Sequence, residues 1–319
     1  MKRTRQFDHK WDNWIRRLRK PWGIRVLFYH GVVETIQDPI LESNFHRVSQ
    51  FREHIQALRG RRVLSVEEFE QEISGSAPSA APAVLITVDD GHANNLIVAD
   101  LLREAHLPWC AFLPTEPVGA NTTIWPLEIR LLLLHGQGDC IELLDQSWSL
   151  ADRASRENAS RQIVAALKKK SSLERREIAS QMRRQFPEGE TQRLLEKFPS
   201  CRMLSWKEAG QLAREGVEIG SHGVEHEIHH ARQPGVVRQS ELIRSKSQIQ
   251  ERLRRPCRFF SFPNGDVVAD SASEVRHAGY ALGFTTVNRM VPRNVNPFLV
   301  PRMAPPTREH DFIREFLWT

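Results

Sequence analysis

The sequence predicts an α/β fold, a distorted (β/α) barrel of about seven parallel strands with a helical insertion. Three observations carry this reading. Short apolar runs rich in β-branched residues alternate with amphipathic helical stretches. Chemistry-bearing residues recur at the C-terminal ends of those runs, and in a β/α barrel such ends share one rim, where active sites are built. From about residue 118 to residue 200 the alternation stops and helical propensity takes over. A length of 319 residues suits one such barrel enlarged by an insertion.

The chain opens on a basic, Trp-rich segment, residues 1–22, with the barrel expected over 23–319. Within it Trp11, Ile15, Leu18 and Trp22 share one helical stripe, Arg16, Arg17, Arg19 and Lys20 lie mainly elsewhere, and Pro21 ends the helix. Such a face suits the inner-leaflet surface of a membrane. The alternative is a helix packed on the protein body.

Residues 25–31 read as a strand ending in His30, 49–59 as a helix, and Ser65 to Glu68 as a capping box. After a Ser/Ala/Pro/Gly loop at 74–82 comes the most apolar strand, Val84-Leu85-Ile86-Thr87-Val88, which stops at Asp89-Asp90-Gly91. A helix at 94–105 and a strand at 109–113 follow. In the insertion, 125–135 and much of 160–197 read as helical, with a turn at 187–189, no strands, and Lys168 to Lys170 as a solvated face. The rhythm resumes with a capping box at Ser205 and a helix closed by Gly216. A strand at 217–221 then ends at His222, and a helix spans 236–253. A strand at 258–262 runs into Pro263-Asn264-Gly265, followed by a helix at 267–278 and a last strand at 281–287. Thr307 caps a terminal helix presenting Phe312, Phe316 and Leu317.

Composition narrows the class. Apolar residues make up 40% and charged residues 26%, as in a soluble globular enzyme. A net charge of +6 favours anionic partners without choosing among them. Scattered basic residues and the lack of a recognisable motif argue against nucleic acid. The four cysteines form no CxxC pair, so neither a zinc ribbon nor a disulfide framework is expected. No apolar run reaches the length of a membrane span, and no apolar signal core follows Met1 to Arg5. The expected location is cytoplasmic, with peripheral contact to the inner membrane through residues 11–22.

The chemistry sits in two clusters. Asp89 and Asp90 are presented side by side at a strand end, where one acid can ligate a metal and the other act as a base. Between residues 222 and 230 stand four histidines, His222, His226, His229 and His230. His222 and His226 are four apart and would face the same way on a helical turn. With Asp90 they make a His-His-Asp set that leaves positions open for water and substrate. His229 and His230 read as loop histidines bonded to backbone. The same stretch also offers His226-Glu227-Ile228-His229-His230, an HExxH match with Glu251 as a third ligand, the pattern of a zinc protease. That pattern must lie inside a well-formed helix, and it leaves the paired acids unexplained.

Thr87-Val88-Asp89-Asp90-Gly91 resembles the TFDDG motif of the polysaccharide deacetylase family, carbohydrate esterase family 4. Ser221-His222-Gly223-Val224-Glu225-His226 is similar to its H-[ST]-x-x-H motif, and Phe262-Pro263-Asn264-Gly265 to its Pro-containing third motif. The resemblance covers most of 24–119 and 200–305. It implies a distorted (β/α) barrel and metal-dependent hydrolysis of an N-acetyl or similar acyl group on a sugar of a polysaccharide or lipid-linked glycan precursor. Carried onto this chain, Asp90, His222 and His226 would hold a divalent metal, zinc first among the choices. Asp89 would be the general base, and His30 the acid that protonates the leaving amine. Asn264, following Pro263, would help hold the oxyanion through its backbone N–H. The chain departs from the family at Gly223, which replaces a Ser or Thr, and at Ser261, which stands about where an Arg steadies the base. Arg302 is a candidate replacement, against the alternative of a surface arginine. These departures also leave open a non-catalytic carbohydrate-binding relative.

Overall fold

The computed structural model describes residues 23–75, 81–120 and 122–306; the helices expected at 11–22 and after Thr307 lie outside them. The first elements are β1 (Ile24–Tyr29), β2 (Gly31–Val33), β3 (Phe45–Arg47), α1 (Val48–Leu58), β4 (Arg62–Leu64), α2 (Val66–Ser74), β5 (Ala83–Val88), α3 (Asn95–Glu104) and β6 (Cys110–Leu113). The insertion carries α4 (Trp125–His135), β7 (Cys140–Leu143), β8 (Gln146–Ser149), α5 (Arg153–Leu167), α6 (Ser172–Arg183) and α7 (Glu190–Lys197). The chain then returns with α8 (Trp206–Arg214), β9 (Glu218–Ser221), α9 (Gly235–Leu253), β10 (Phe259–Ser261), α10 (Ser271–His277) and β11 (Leu282–Phe284).

The main sheet is parallel and curled, in the order β1-β5-β6-β9-β10-β11. Strand β5 is buried along its whole length and is flanked by β1 from Ile24↔Ala83 to Tyr29↔Val88. Its other edge is shared, β4 pairing with the first half and β6 with the last two residues. Residues 300–303 bridge the two ends of the sheet. Thr285 donates its N–H to the Val300 carbonyl at 2.8 Å, and Met303 donates to the Val26 carbonyl at 2.8 Å. This backbone strap closes the distorted barrel and brings Arg302 inside it.

The period-two alternation of strands divides the core. Leu85, Phe112, Phe259 and Phe284 point inward and are fully buried. Ile86, Val88, Leu113 and Phe260 point outward onto Val98 and Leu102 of α3, Leu212 of α8 and Leu242 of α9. The parity that turns Leu85 and Thr87 inward also turns Asp89 inward at the strand's end. Ser65 and Ser205 each accept the N–H three residues on and receive that residue's Glu in return, the two capping boxes read from the sequence.

The insertion has its own apolar cluster, built from α4 with Ile163, Leu167, Met182 and Leu194. It is not purely helical. Strands β7 and β8 form an antiparallel hairpin in register Cys140↔Ser149 to Leu143↔Gln146. Its turn is Leu144-Asp145, both with φ of 57°. That conformation normally advertises itself by Asn-Gly or Asp-Gly, and neither is present to read. Strands β2, β3 and β4 were equally hidden, because three residues are too few to show a period.

Candidate metal and hydrolytic site

The site opens at the C-terminal rim of the barrel. After β5 the backbone turns sharply, with φ of 69° at both Asp90 and Gly91. Aspartate tolerates this region better than most residues. A Cβ on Gly91 would lie 2.7 Å from Leu113 Cδ2, so a side chain there would have to displace Leu113 in an already left-handed turn. The turn swings Asp90 away from Asp89 and gives the two acids different neighbours.

Asp90 faces the histidines. Its Oδ1 lies 3.3 Å from His222 Nε2 and 3.2 Å from His226 Nε2. All three residues are buried, and their ligand atoms lie within 4.8 Å of one another. His222 Nδ1 donates to the Ser261 carbonyl at 2.7 Å, which leaves the Nε2 lone pair aimed at Asp90. Among the described residues Asp90 Oδ1 and His226 Nδ1 are buried without a hydrogen-bond partner. Imidazole lone pairs converging on a buried carboxylate oxygen repel one another unless a cation stands between them. The donor set therefore fits a divalent metal. Burial would raise the Asp90 carboxyl, but His222, His226 and His92 overcome it and hold the group well below the usual range. Burial likewise opposes charging of His222, yet Asp89 and Asp90 raise it, whereas burial prevails at His226 and lowers it.

His222 and His226 do not share a helical turn. Both lie in an irregular loop, with φ of +82° at Gly223 and +59° at His226. Glu241 of α9 holds that loop by accepting the N–H groups of Val224 at 2.8 Å and Glu225 at 3.1 Å. A Cβ at Gly223 would stand 2.8 Å from Glu241 Oε2. The glycine that departs from the family motif thus makes room for the carboxylate that shapes the loop.

Asp89 faces an arginine. Arg302 is 0% exposed. Its Nη1 and Nη2 donate to Asp89 Oδ1 at 2.8 Å and Oδ2 at 2.6 Å, a bidentate pair. The guanidinium also donates to Thr87 Oγ1, Ser261 Oγ and the Thr285 carbonyl. The surface alternative for Arg302 is thereby overturned: the strap that closes the barrel buries it, and Ser261 is small enough to let it in. Burial would raise the Asp89 carboxyl, but Arg302 more than offsets this and lowers it.

His30 follows β1 and lines the same pocket as Asp89, Asp90, His222, His226 and Asn264. Its main-chain carbonyl is held by Asn95 Nδ2 at 2.9 Å, and burial lowers the ring's pKa despite the two acids. Pro263 is buried. Asn264 is exposed, adopts φ of 60°, and accepts Lys168 Nζ at 2.5 Å. Chain segments far apart in sequence thus meet in one pocket.

Three readings need correction. The HExxH stretch is not helical. His230 Nε2 bonds the Lys170 carbonyl at 2.9 Å, and Glu227 is buried against Arg175 and Gln233, with no part in the pocket. Glu227→Gln should therefore leave metal content and turnover near wild type while lowering stability by roughly 1–3 kcal/mol for the charged hydrogen bond it weakens; loss of activity at unchanged stability would revive the protease reading. His229 does not bond to backbone: among the described residues neither ring nitrogen has a partner, and the ring packs on Phe260 and Phe262. Lys168 is not on a solvated face, since it lines the pocket. His92, whose Nε2 lies 3.6 Å from Asp90 Oδ2, was not singled out by sequence reasoning, although it stands next to Gly91.

The chain also resembles known proteins. The sequence model of the family described as polysaccharide deacetylase matches residues 76–283, more than half the chain. No curated protein matches the sequence. Among solved structures, Streptococcus pyogenes deacetylase PplD, in complex with acetate, is similar at 15% identity and a TM-score of 0.58, covering 91% of this chain and 95% of that one. IcaB from Ammonifex degensii is similar at 17% identity and a TM-score of 0.58, covering 89% and 92%. BC0361, a polysaccharide deacetylase from Bacillus cereus, is similar at 13% and a TM-score of 0.54, covering 92% and 68%. At these identities the likeness is one of fold. With the family match over the segment that carries both acids and both histidines, it follows that the chain belongs to the polysaccharide deacetylase family.

Proposed function

We propose that this protein is a metal-dependent hydrolase that removes an N-acetyl or similar acyl group from a sugar of a polysaccharide or lipid-linked precursor. The single observation that carries the reading is the buried Asp90–His222–His226 triangle standing beside an Arg302-held Asp89 in one pocket. A divalent cation in the triangle, zinc first, would supply positive charge that polarises the acyl carbonyl and acidifies water. Asp89 takes the proton of the attacking water, and its fixed, ionised state under Arg302 keeps it ready to do so. His30, on the pocket wall, gives a proton to the leaving amine. The backbone N–H of Asn264, in the turn after β10, serves the oxyanion. The non-catalytic alternative rested partly on a missing arginine, and the Arg302–Asp89 pair removes that support.

Elemental analysis together with acyl release tests the reading. Wild type and His230→Ala should carry about one divalent metal per chain, and Asp90→Ala and His222→Ala should lose it. Chelation should abolish release of acetate or formate from an N-acylated sugar, and zinc should restore it. Metal retained in Asp90→Ala, or release that survives chelation, would sink the proposal.

A further inference from the structure

The outer wall of the pocket is supplied by the insertion. Arg130 of α4 and Lys168, which ends α5, both line it. Arg130 Nη1 donates to the Ile40 carbonyl at 3.2 Å, and Lys168 Nζ to Asn264 Oδ1. Both partners are neutral. Among the described residues neither cation makes an ion pair. Other arginines of the insertion are paired, Arg153 with Asp38, Arg175 with Glu227, Arg183 with Glu128 and Arg193 with Glu190, while Arg156, Arg161 and Arg184 bond neutral groups away from the pocket. Within the pocket Asp89 is engaged by Arg302 and Asp90 by the histidines. Two half-buried cations therefore share one wall with no carboxylate bonded to either, Asp266 and Asp90 acting on Lys168 only from a distance. Burial lowers the pKa of both, and at Lys168 burial and Arg130 together outweigh the opposing pull of Asp266 and Asp90. A desolvated charge is held at a cost unless it is paired.

Resting on the reading above, we infer that Arg130 and Lys168 form a subsite for an anionic group, phosphate or carboxylate, carried by the sugar whose acyl group reaches Asp90. Guanidinium and ammonium groups both suit such oxyanions. The insertion would then set which glycans the barrel accepts.

Binding and turnover are measured on the full chain with three sugars: neutral diacetylchitobiose, N-acetylglucosamine 1-phosphate and an N-acetylglucosaminuronate. Wild type should bind one of the two anionic sugars at least tenfold more tightly than the neutral one, with a preference that shrinks as salt rises. Which anion wins identifies the source of the charge. Arg130→Gln and Lys168→Gln should each lower the anionic-to-neutral ratio of kcat/KM by about 10- to 100-fold, as expected for losing one charged hydrogen bond, and Arg130→Lys should recover part of it. Equal binding of all three sugars by wild type, or an unchanged ratio in folded variants, overturns the subsite. If binding keeps its charge preference but no sugar is deacylated, the hydrolase reading fails and the subsite stands.

Discussion

Asp89→Asn should lower turnover by about 10²- to 10⁴-fold, the range for losing a positioned general base. Metal content should stay at the wild-type level, because the triangle is made by Asp90, His222 and His226. The substitution is nearly isosteric, but it sets an amide against the fork of Arg302, whose nitrogens lie 2.6 and 2.8 Å from the carboxylate oxygens. Some stability will go with it, so the melting temperature is measured alongside. Turnover within tenfold of wild type, in a folded and metal-loaded variant, would show that Asp89 is not the base. Loss of metal would show instead that the two acids share the ion.

Arg302→Met should cost roughly 3–5 kcal/mol of stability, the penalty for removing one partner of a buried ion pair. The side chain is 0% exposed and anchors four groups: Asp89, Thr87, Ser261 and the Thr285 carbonyl. Deprived of the guanidinium, the buried Asp89 carboxyl should rise, because burial then acts with less opposition. The acid limb of the pH–rate profile should move to higher pH, and turnover near neutrality should fall. The stability change has a definite sign with pH. In wild type the folded-state pKa of Asp89 is lowered, so the pair stabilises the fold above the unfolded carboxylate value of about 3.9 and stops doing so as pH falls through the lower folded value. The gap between wild type and Arg302→Met should therefore be widest near neutral pH and narrow in acid. A gap independent of pH would mean that Arg302 matters only as packing for the strap.

Much of this could be read from residue order. The β-branched run before Asp89, the capping boxes at Ser65 and Ser205, and the placement of His30, Asp89 and His222 after strands all follow from local rules of period, capping and turn chemistry. These pointed to a (β/α) barrel and to the acids and histidines that meet at its rim. Short elements escaped, because β4 and the β7–β8 hairpin carry too few residues to reveal a pattern against their surroundings.

Tertiary structure decided the rest, for a physical reason that recurs. Nothing local distinguishes Arg302 from a surface arginine; its burial comes from a backbone strap that must hydrogen-bond to both β1 and β11 before the barrel can close. His222 and His226 converge through a left-handed loop braced by Glu241, a contact across 17 residues between Val224 and that side chain, and not through helical spacing. Lys168 looked like part of a solvated run until the insertion folded its helices over the rim and set the amine against Asn264. Local residue order specified the longer elements and the chemical groups that stand at their ends. Which of those groups are buried together, and hence which carboxylate meets an arginine and which meets the histidines, depended on long-range closure of the sheet and on packing of the insertion, neither of which leaves a period in the chain.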